Sequence, residues 1–289
     1  NNVPKFNKTL IDDFLLELKA QGKSKNTISQ YFNDLRIICI YIHDELGNKE
    51  FRDLKKKHFR NMVLFFKEKG MSNARVNRLM SAVRSMLEYG SNEEDYENDL
   101  EINYAGKVKG LQKESVRDIV FLSWEEIEII YKELIKQERY QEATLLALGI
   151  DSAGRKNELH QVLKDSITPD GSFTNEVIGK RSKKFKLMYH DMTKEAFSLY
   201  MKQRGEDDIE SLWITSRGER RKLDVDGLYD MVVSWRKILE EKTGEYKKFN
   251  VHSLRHISLE LLSTGEHYLA KKLGKKFDLD ALKLLAHHE

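Results

Sequence analysis

Arg155, Lys180, His252 and Arg255 stand, in the C-terminal half of this 289-residue sequence, at spacings suited to work on a phosphate. Arg155 follows a long apolar run, and Glu158 lies three residues beyond it in Gly154-Arg155-Lys156-Asn157-Glu158. On a helical turn those two side chains share a face. A guanidinium offers a rigid fork of donors to two phosphate oxygens, and a neighbouring carboxylate can hold the fork in place. An ordinary surface ion pair has the same spacing. Between Gly179 and Lys186 five cations, Lys180, Arg181, Lys183, Lys184 and Lys186, crowd a predicted hairpin tip. A lysine delivered beside a phosphate can protonate a departing alkoxide, and burial among cations makes its proton easier to give. A nonspecific basic turn is the competing account. His252 and Arg255 open a predicted helix in His252-Ser253-Leu254-Arg255-His256 and share one face there. A helix N-terminus favours an anion. A metal reading of these histidines fails, because no cysteine and no His-Glu-x-x-His arrangement accompanies them. Leu285-Ala286-His287-His288 is open to two readings, a tag remnant or a surface feature.

The elements that must position these residues follow from periodicity. Ser123 and Glu126 have capping-box spacing ahead of Ile127, Ile130, Tyr131 and Leu134, a helical stripe. Tyr140 to Ala153 reads as a buried helix. Ser172 to Ile178 and Phe185 to Tyr189 read as two short strands around the basic turn, with a short Leu212-Trp213-Ile214 strand later. Helices follow near 193–204, 224–243 and 252–263. The first ninety residues read as four amphipathic helices near 8–20, 25–46, 55–69 and 73–90, with Ser24 and Ser72 placed to cap the second and fourth. From Ser91 to about Arg117 periodicity fails, so 91–117 is expected to be an interdomain linker. The whole is expected to be mainly α with a small antiparallel β-sheet, an α+β chain with a helical domain at 1–90 and a second domain at 118–289.

Composition bounds the class. Hydrophobic residues make up 40% and charged residues 34%, which suits a folded, solvated protein and excludes a disordered chain. There is no run of 18 apolar residues and no charged-then-apolar leader, so an intracellular, cytoplasmic protein without membrane contact is expected. Cys39 is the single cysteine and lies in an apolar helical pattern, as a buried small hydrophobe would. The net charge of +3 hides an asymmetry: residues 1–87 hold 17 Lys or Arg against 9 Asp or Glu, and residues 88–101 hold seven acidic residues and no basic one. The basic block is a candidate polyanion surface, with Lys23, Lys25, Asn26, Asn73, Arg75, Asn77 and Arg78 as phosphate donors at two helix starts. A merely well-solvated face explains them equally.

Taken in order, these motifs resemble the tyrosine recombinase (phage integrase) family over nearly the whole chain. The family's Thr-Gly-x-Arg-x-x-Glu box is similar to Ser152-Ala153-Gly154-Arg155-Lys156-Asn157-Glu158, and its Gly-Lys-Gly-x-Lys hairpin to Gly179-Lys180-Arg181-Ser182-Lys183. Its His-x-x-Arg-His box matches His252, Arg255 and His256, and its Leu-Gly-His box resembles Leu285-Ala286-His287. The resemblance implies a two-domain clamp on duplex DNA, in which a tyrosine attacks a phosphodiester, forms a 3′-phosphotyrosyl link and frees a 5′-hydroxyl. It implies phosphate stabilisation by Arg155 and Arg255, proton donation by Lys180, base or phosphate-donor roles for His252 and His287, and support from Glu158 and His256. Arg181, Lys183 and Lys184 join the DNA-contacting set. No cofactor and no metal is implied. A specific recombination site, a homo-tetramer in the synaptic complex, and accessory DNA-bending or directionality proteins are the implied partners, with a nucleoid association when bound.

Two departures stand out. An extra segment, Leu269 to Phe277, is expected as a surface loop between the last two boxes. The family's nucleophilic tyrosine lies beyond its Leu-Gly-His box, so the catalytic domain is expected to be C-terminally incomplete and the chain as given to hold DNA without cutting it; Tyr268 is the nearest tyrosine by position. A mobile-element integrase is the expectation, with a type IB topoisomerase-like enzyme or a catalytically inactive DNA-binding regulator on the same fold as alternatives.

Overall fold

The computed structural model describes residues 2–114, 120–215 and 218–286, with Arg181 described through its backbone alone. The chain divides into two compact units, Asn1–Val116 and Arg117–Glu289. The first unit is built on α1 (Lys5–Ala20), α2 (Lys25–Leu46), α3 (Lys56–Glu68) and α4 (Asn73–Ser91). Polar side chains start two of them where the sequence placed the caps: Ser24 Oγ accepts the Thr27 N–H at 3.2 Å and Ser72 Oγ accepts the Arg75 N–H at 3.3 Å. The apolar stripes of all four meet in a core that includes Leu10, Leu35, Ile38, Phe59, Met62, Val76, Leu79 and Val83, all fully buried. Each such side chain contributes about 1.5–3 kcal/mol over its exposed state.

The segment expected as a linker belongs instead to this unit. Tyr96, Leu100 and Ala105 are buried in the same core, and Tyr104, Val108 and Leu111 pack against it. The backbone between Asn103 and Gln112 makes no regular ladder, so its polar groups are met by side chains from α4. Arg84 donates to the Ala105 and Val108 carbonyls at 3.1 and 2.7 Å. Asn77 both donates to the Leu111 carbonyl and accepts the Leu111 N–H, and Asn73 donates to the Gln112 carbonyl. The acidic, aperiodic composition hid this, because the packing residues recur at no regular helical or strand spacing.

The second unit contains α5 (Trp124–Lys136), α6 (Tyr140–Ser152), α7 (Lys156–Leu159), β1 (Phe173–Ile178), β2 (Lys184–Met188), α8 (Asp191–Arg204), α9 (Val225–Thr243), α10 (Val251–Thr264), α11 (Tyr268–Leu273) and α12 (Leu279–Leu285). The capping box read at Ser123 and Glu126 starts α5. α6 is mostly apolar and buried on every side from Ala143 to Ser152, with α5, α8, α9 and α10 against it. The antiparallel strands pair Ile178 with Lys184 and Val177 with Phe185, so residues 179–183 form the hairpin tip. Leu212 to Ile214 form no strand among the described residues, only isolated bridges at Ser211 and Ile214. The Trp213 indole donates to the Leu159 carbonyl at 2.6 Å, tying that stretch to α7. The extra segment is likewise not a loop: α11 occupies most of it, capped by His267 Nδ1, which accepts the Leu269 N–H, and stopped at Gly274 with φ 65°. Among the described residues no helix is long and apolar enough to cross a membrane.

Candidate active site

The turn between α6 and α7 carries the first arginine, at the N-cap of α7. Ser152 Oγ donates to the Leu148 carbonyl at 2.6 Å and accepts the Gly154 N–H at 3.1 Å, and Ala153 adopts the left-handed conformation at φ 49°. That reversal ends α6 and aims Arg155 into α7. The Arg155 backbone N–H donates to Glu158 Oε2 at 2.7 Å, and its guanidinium Nη1 donates to Glu158 Oε1 at 2.8 Å. Glu158 is buried, whereas a quarter of the Arg155 side chain meets solvent. A buried carboxylate thus fixes a partly exposed guanidinium in orientation, as the spacing suggested.

Arg255, on the first turns of α10, reaches the same turn. It is 3% exposed, donates from Nη1 to the Ala153 carbonyl at 2.7 Å, and donates from Nη2 to the Ala286 carbonyl. Burial, and then the positive charge of Arg155, pull its pKa down to about 10. It remains a cation at neutral pH, but two guanidiniums close enough to repel create a place where an anion is welcome.

The hairpin tip borders this pair. A β-carbon added to Gly179 would meet Phe185 Cε1 at 2.5 Å and Glu158 Oε1 at 3.1 Å, so the backbone beside Lys180 lies against the carboxylate that holds Arg155. Lys180 opens a short 3-10 turn, Lys180–Ser182, and is exposed. Asn250 Oδ1 caps α10 by accepting the His252 N–H at 2.8 Å. The His252 and His256 Nε2 atoms lie 3.2 Å apart, close enough to share one proton. Burial, His252 and Arg255 all lower the pKa of His256, favouring its neutral form. His287 and the Arg181 side chain lie outside the described residues. Among the described residues no group of three or more His, Cys, Asp or Glu gathers to hold a metal ion.

Tyr268 is not arranged to attack. Its hydroxyl donates to Asp151 Oδ1 at 2.7 Å, and burial with the Asp151 charge pushes its pKa far above the usual tyrosine range. A phenolate there is strongly disfavoured. What the sequence reading missed is the other half of this contact. Asp151 is buried one residue before Ser152; its Oδ2 accepts from Thr193 Oγ1 at 2.6 Å and from the His190 N–H at 2.9 Å. His267 and Ser258 both reach the neighbouring Ile150 carbonyl, and Trp124 packs on His267 and Tyr268. α11 therefore braces the turn that presents Arg155. A carboxylate near the end of the buried run Ala143 to Ser152 was the available signal.

Of the expected DNA donors, Lys23, Lys25 and Asn26 are exposed, and Lys184 pairs with Glu176 at 3.2 Å. Asn73 and Asn77 are committed to the 111–112 backbone. Arg75 and Arg78 both engage Asp34.

Comparison with known proteins places the chain among similar folds. Residues 11–94 match the family described as phage integrase, N-terminal SAM-like domain. The SPbeta prophage-derived recombinase-like protein YomM of Bacillus subtilis (strain 168) is 24% identical over 294 residues, 98% of this chain and 84% of that protein. A lambda integrase dimer bound to a COC' core site superposes with a TM-score of 0.69 at 18% identity, over 95% of this chain and 75% of that one. A lambda integrase tetramer bound to a Holliday junction gives 0.68 at 16% identity, over 94% and 78%. The Tn1549 transposon integrase in complex with circular intermediate DNA gives 0.65 at 16% identity, over 97% and 92%.

Proposed function

We propose that this chain, a member of the tyrosine recombinase (phage integrase) family, cuts and rejoins duplex DNA at a specific site through a 3′-phosphotyrosine. The observation that carries the reading is the convergence of Arg155 and Arg255, one held by Glu158 and the other by the Ala153 carbonyl, beside the lysine-bearing hairpin tip. Both guanidiniums bond the nonbridging oxygens of the scissile phosphate, and their fixed donors favour the extra charge of the transition state. A tyrosine oxygen forms a bond to phosphorus while the phosphorus–O5′ bond breaks, and Lys180 gives the departing O5′ its proton. His252 accepts the tyrosine proton, and neutral His256 holds its ring through the shared proton. Tyr268, bonded to Asp151, is not the attacking tyrosine in this mechanism. Strand joining is the same step reversed.

The partner is duplex DNA carrying a recombination site, with four copies of the chain meeting in the synaptic complex. The matches to prophage and transposon proteins support a role in moving a mobile element. Lys180 provides the test. In the full gene product, Lys180→Ala stops cleavage of an ordinary phosphodiester but cleaves a 5′-bridging phosphorothiolate, whose sulfur leaves without a proton. If only Lys183→Ala is rescued in this way, Lys180 is not the acid.

A further inference from the structure

Asp34 is a carboxylate with almost no access to water, 1% exposed, on α2. Two cations three residues apart on α4 converge on it. Arg75 Nη1 bonds Oδ1, and Arg78 Nε lies 3.2 Å from Oδ2. Gln30 Nε2 donates to Oδ1 at 3.0 Å from within α2. One arginine would neutralise the charge; two, each on its own oxygen, give a pair of guanidinium planes with set directions. A quarter of the Arg75 side chain remains open to solvent. Arg78 meets Asp34 as an ion pair at Nε, with half of its side chain still open to solvent.

Phosphate contact gives no reason for this construction. A phosphate takes a cation in many orientations, and Asp34 cancels one of the two positive charges, which weakens attraction to a backbone. A guanine edge is different, because its O6 and N7 accept a planar fork only in register. Lys23 and Lys25, exposed at the start of α2, have the looser character that suits phosphates.

We propose that Asp34 is a positioning residue for DNA sequence recognition, holding Arg78, with Arg75 beside it, to read a guanine in the major groove. The inference rests on the reading that the chain binds duplex DNA. It is tested with the full chain by selection from a random-sequence duplex pool, followed by replacement of each selected guanine with 7-deazaguanine, which lacks the N7 acceptor. The wild-type chain enriches a sequence containing a guanine whose 7-deaza form binds about tenfold more weakly, within the range of one lost base contact. Arg78→Ala binds both duplexes alike. Asp34→Asn keeps both arginines and adds net positive charge, so it holds unselected DNA at least as tightly while its preference for the selected duplex falls about tenfold. Asp34→Glu, which keeps the charges and moves the carboxylate by one methylene, shows the same loss of preference should the Asn variant unfold. Wild-type preference retained in both Asp34 variants, with only a lowered Tm, makes the cluster a helix tie and overturns the inference. So does equal binding of the 7-deaza duplex by the wild-type chain, the mark of phosphate contact. Binding without enrichment overturns this inference alone, whereas no duplex binding overturns the proposed function with it.

Discussion

His267 shows how a single side chain ties the site to pH. Its Nδ1 accepts the Leu269 N–H and its Nε2 faces the Ile150 carbonyl, so the neutral ring with its proton on Nε2 satisfies both partners. Burial pulls its pKa down to about 4. In the unfolded chain a histidine titrates near ~6.5, so below that pH the unfolded state takes up a proton that the folded state refuses. The stability this group contributes is therefore complete above pH ~6.5 and is lost as pH falls toward 4. The difference corresponds to about 3 kcal/mol. Chemical unfolding at pH 7.5 and pH 5 should show about 2 kcal/mol of that fall, and His267→Gln, which keeps an acceptor and a donor, should flatten it. An unchanged pH profile in the variant would place the titrating group elsewhere. The catalytic candidates themselves were legible at this scale because their signal is local: Arg155 and Glu158 are three residues apart, as are His252 and Arg255. Asp34 and Asp151 were not, because the partners that explain them lie 41 and 117 residues away.

Among the elements, α11 carries the least expected role. The sequence marked its segment as an insertion, and periodicity over six residues is too short to announce a helix. Its anchor is the Tyr268 hydroxyl on Asp151. Tyr268→Phe leaves one oxygen of a buried carboxylate without that donor and should cost about 1–3 kcal/mol. Strand transfer by the gene product should survive the change when assayed below the variant's Tm. Loss of the covalent adduct with an unaltered Tm would instead make Tyr268 the attacking residue. The helices of the first unit and the hairpin were readable from apolar spacing and turn composition, since each buries one face or alternates sides. The Leu212 to Ile214 stretch read as a strand because its apolar run matches one, yet its pairing stops at isolated bridges and the Trp213 indole is tied to α7.

At the scale of the whole molecule, two units with separate cores share the fold of lambda integrase, and the boundary between them falls later than composition suggested. A fragment of residues 1–116 should melt cooperatively by itself, because Tyr96, Leu100 and Ala105 complete its core. A fragment ending at residue 90 discards those side chains and the bonds from Arg84, and should lose more than about 3 kcal/mol. Equal stability of the two fragments would restore 91–114 to the status of a linker. The proposed chemistry is a property of the intact gene product on DNA. Its most direct test is the yield of covalent protein–DNA adduct on a nicked substrate of the recombination site, comparing wild type with Arg155→Lys and Arg255→Lys. Lysine keeps the charge and removes the fixed fork, so duplex binding and its salt dependence should persist while adduct formation falls by about 10²–10³-fold or more. Adduct formation at the wild-type rate in either variant contradicts the assignment of these two arginines to the scissile phosphate.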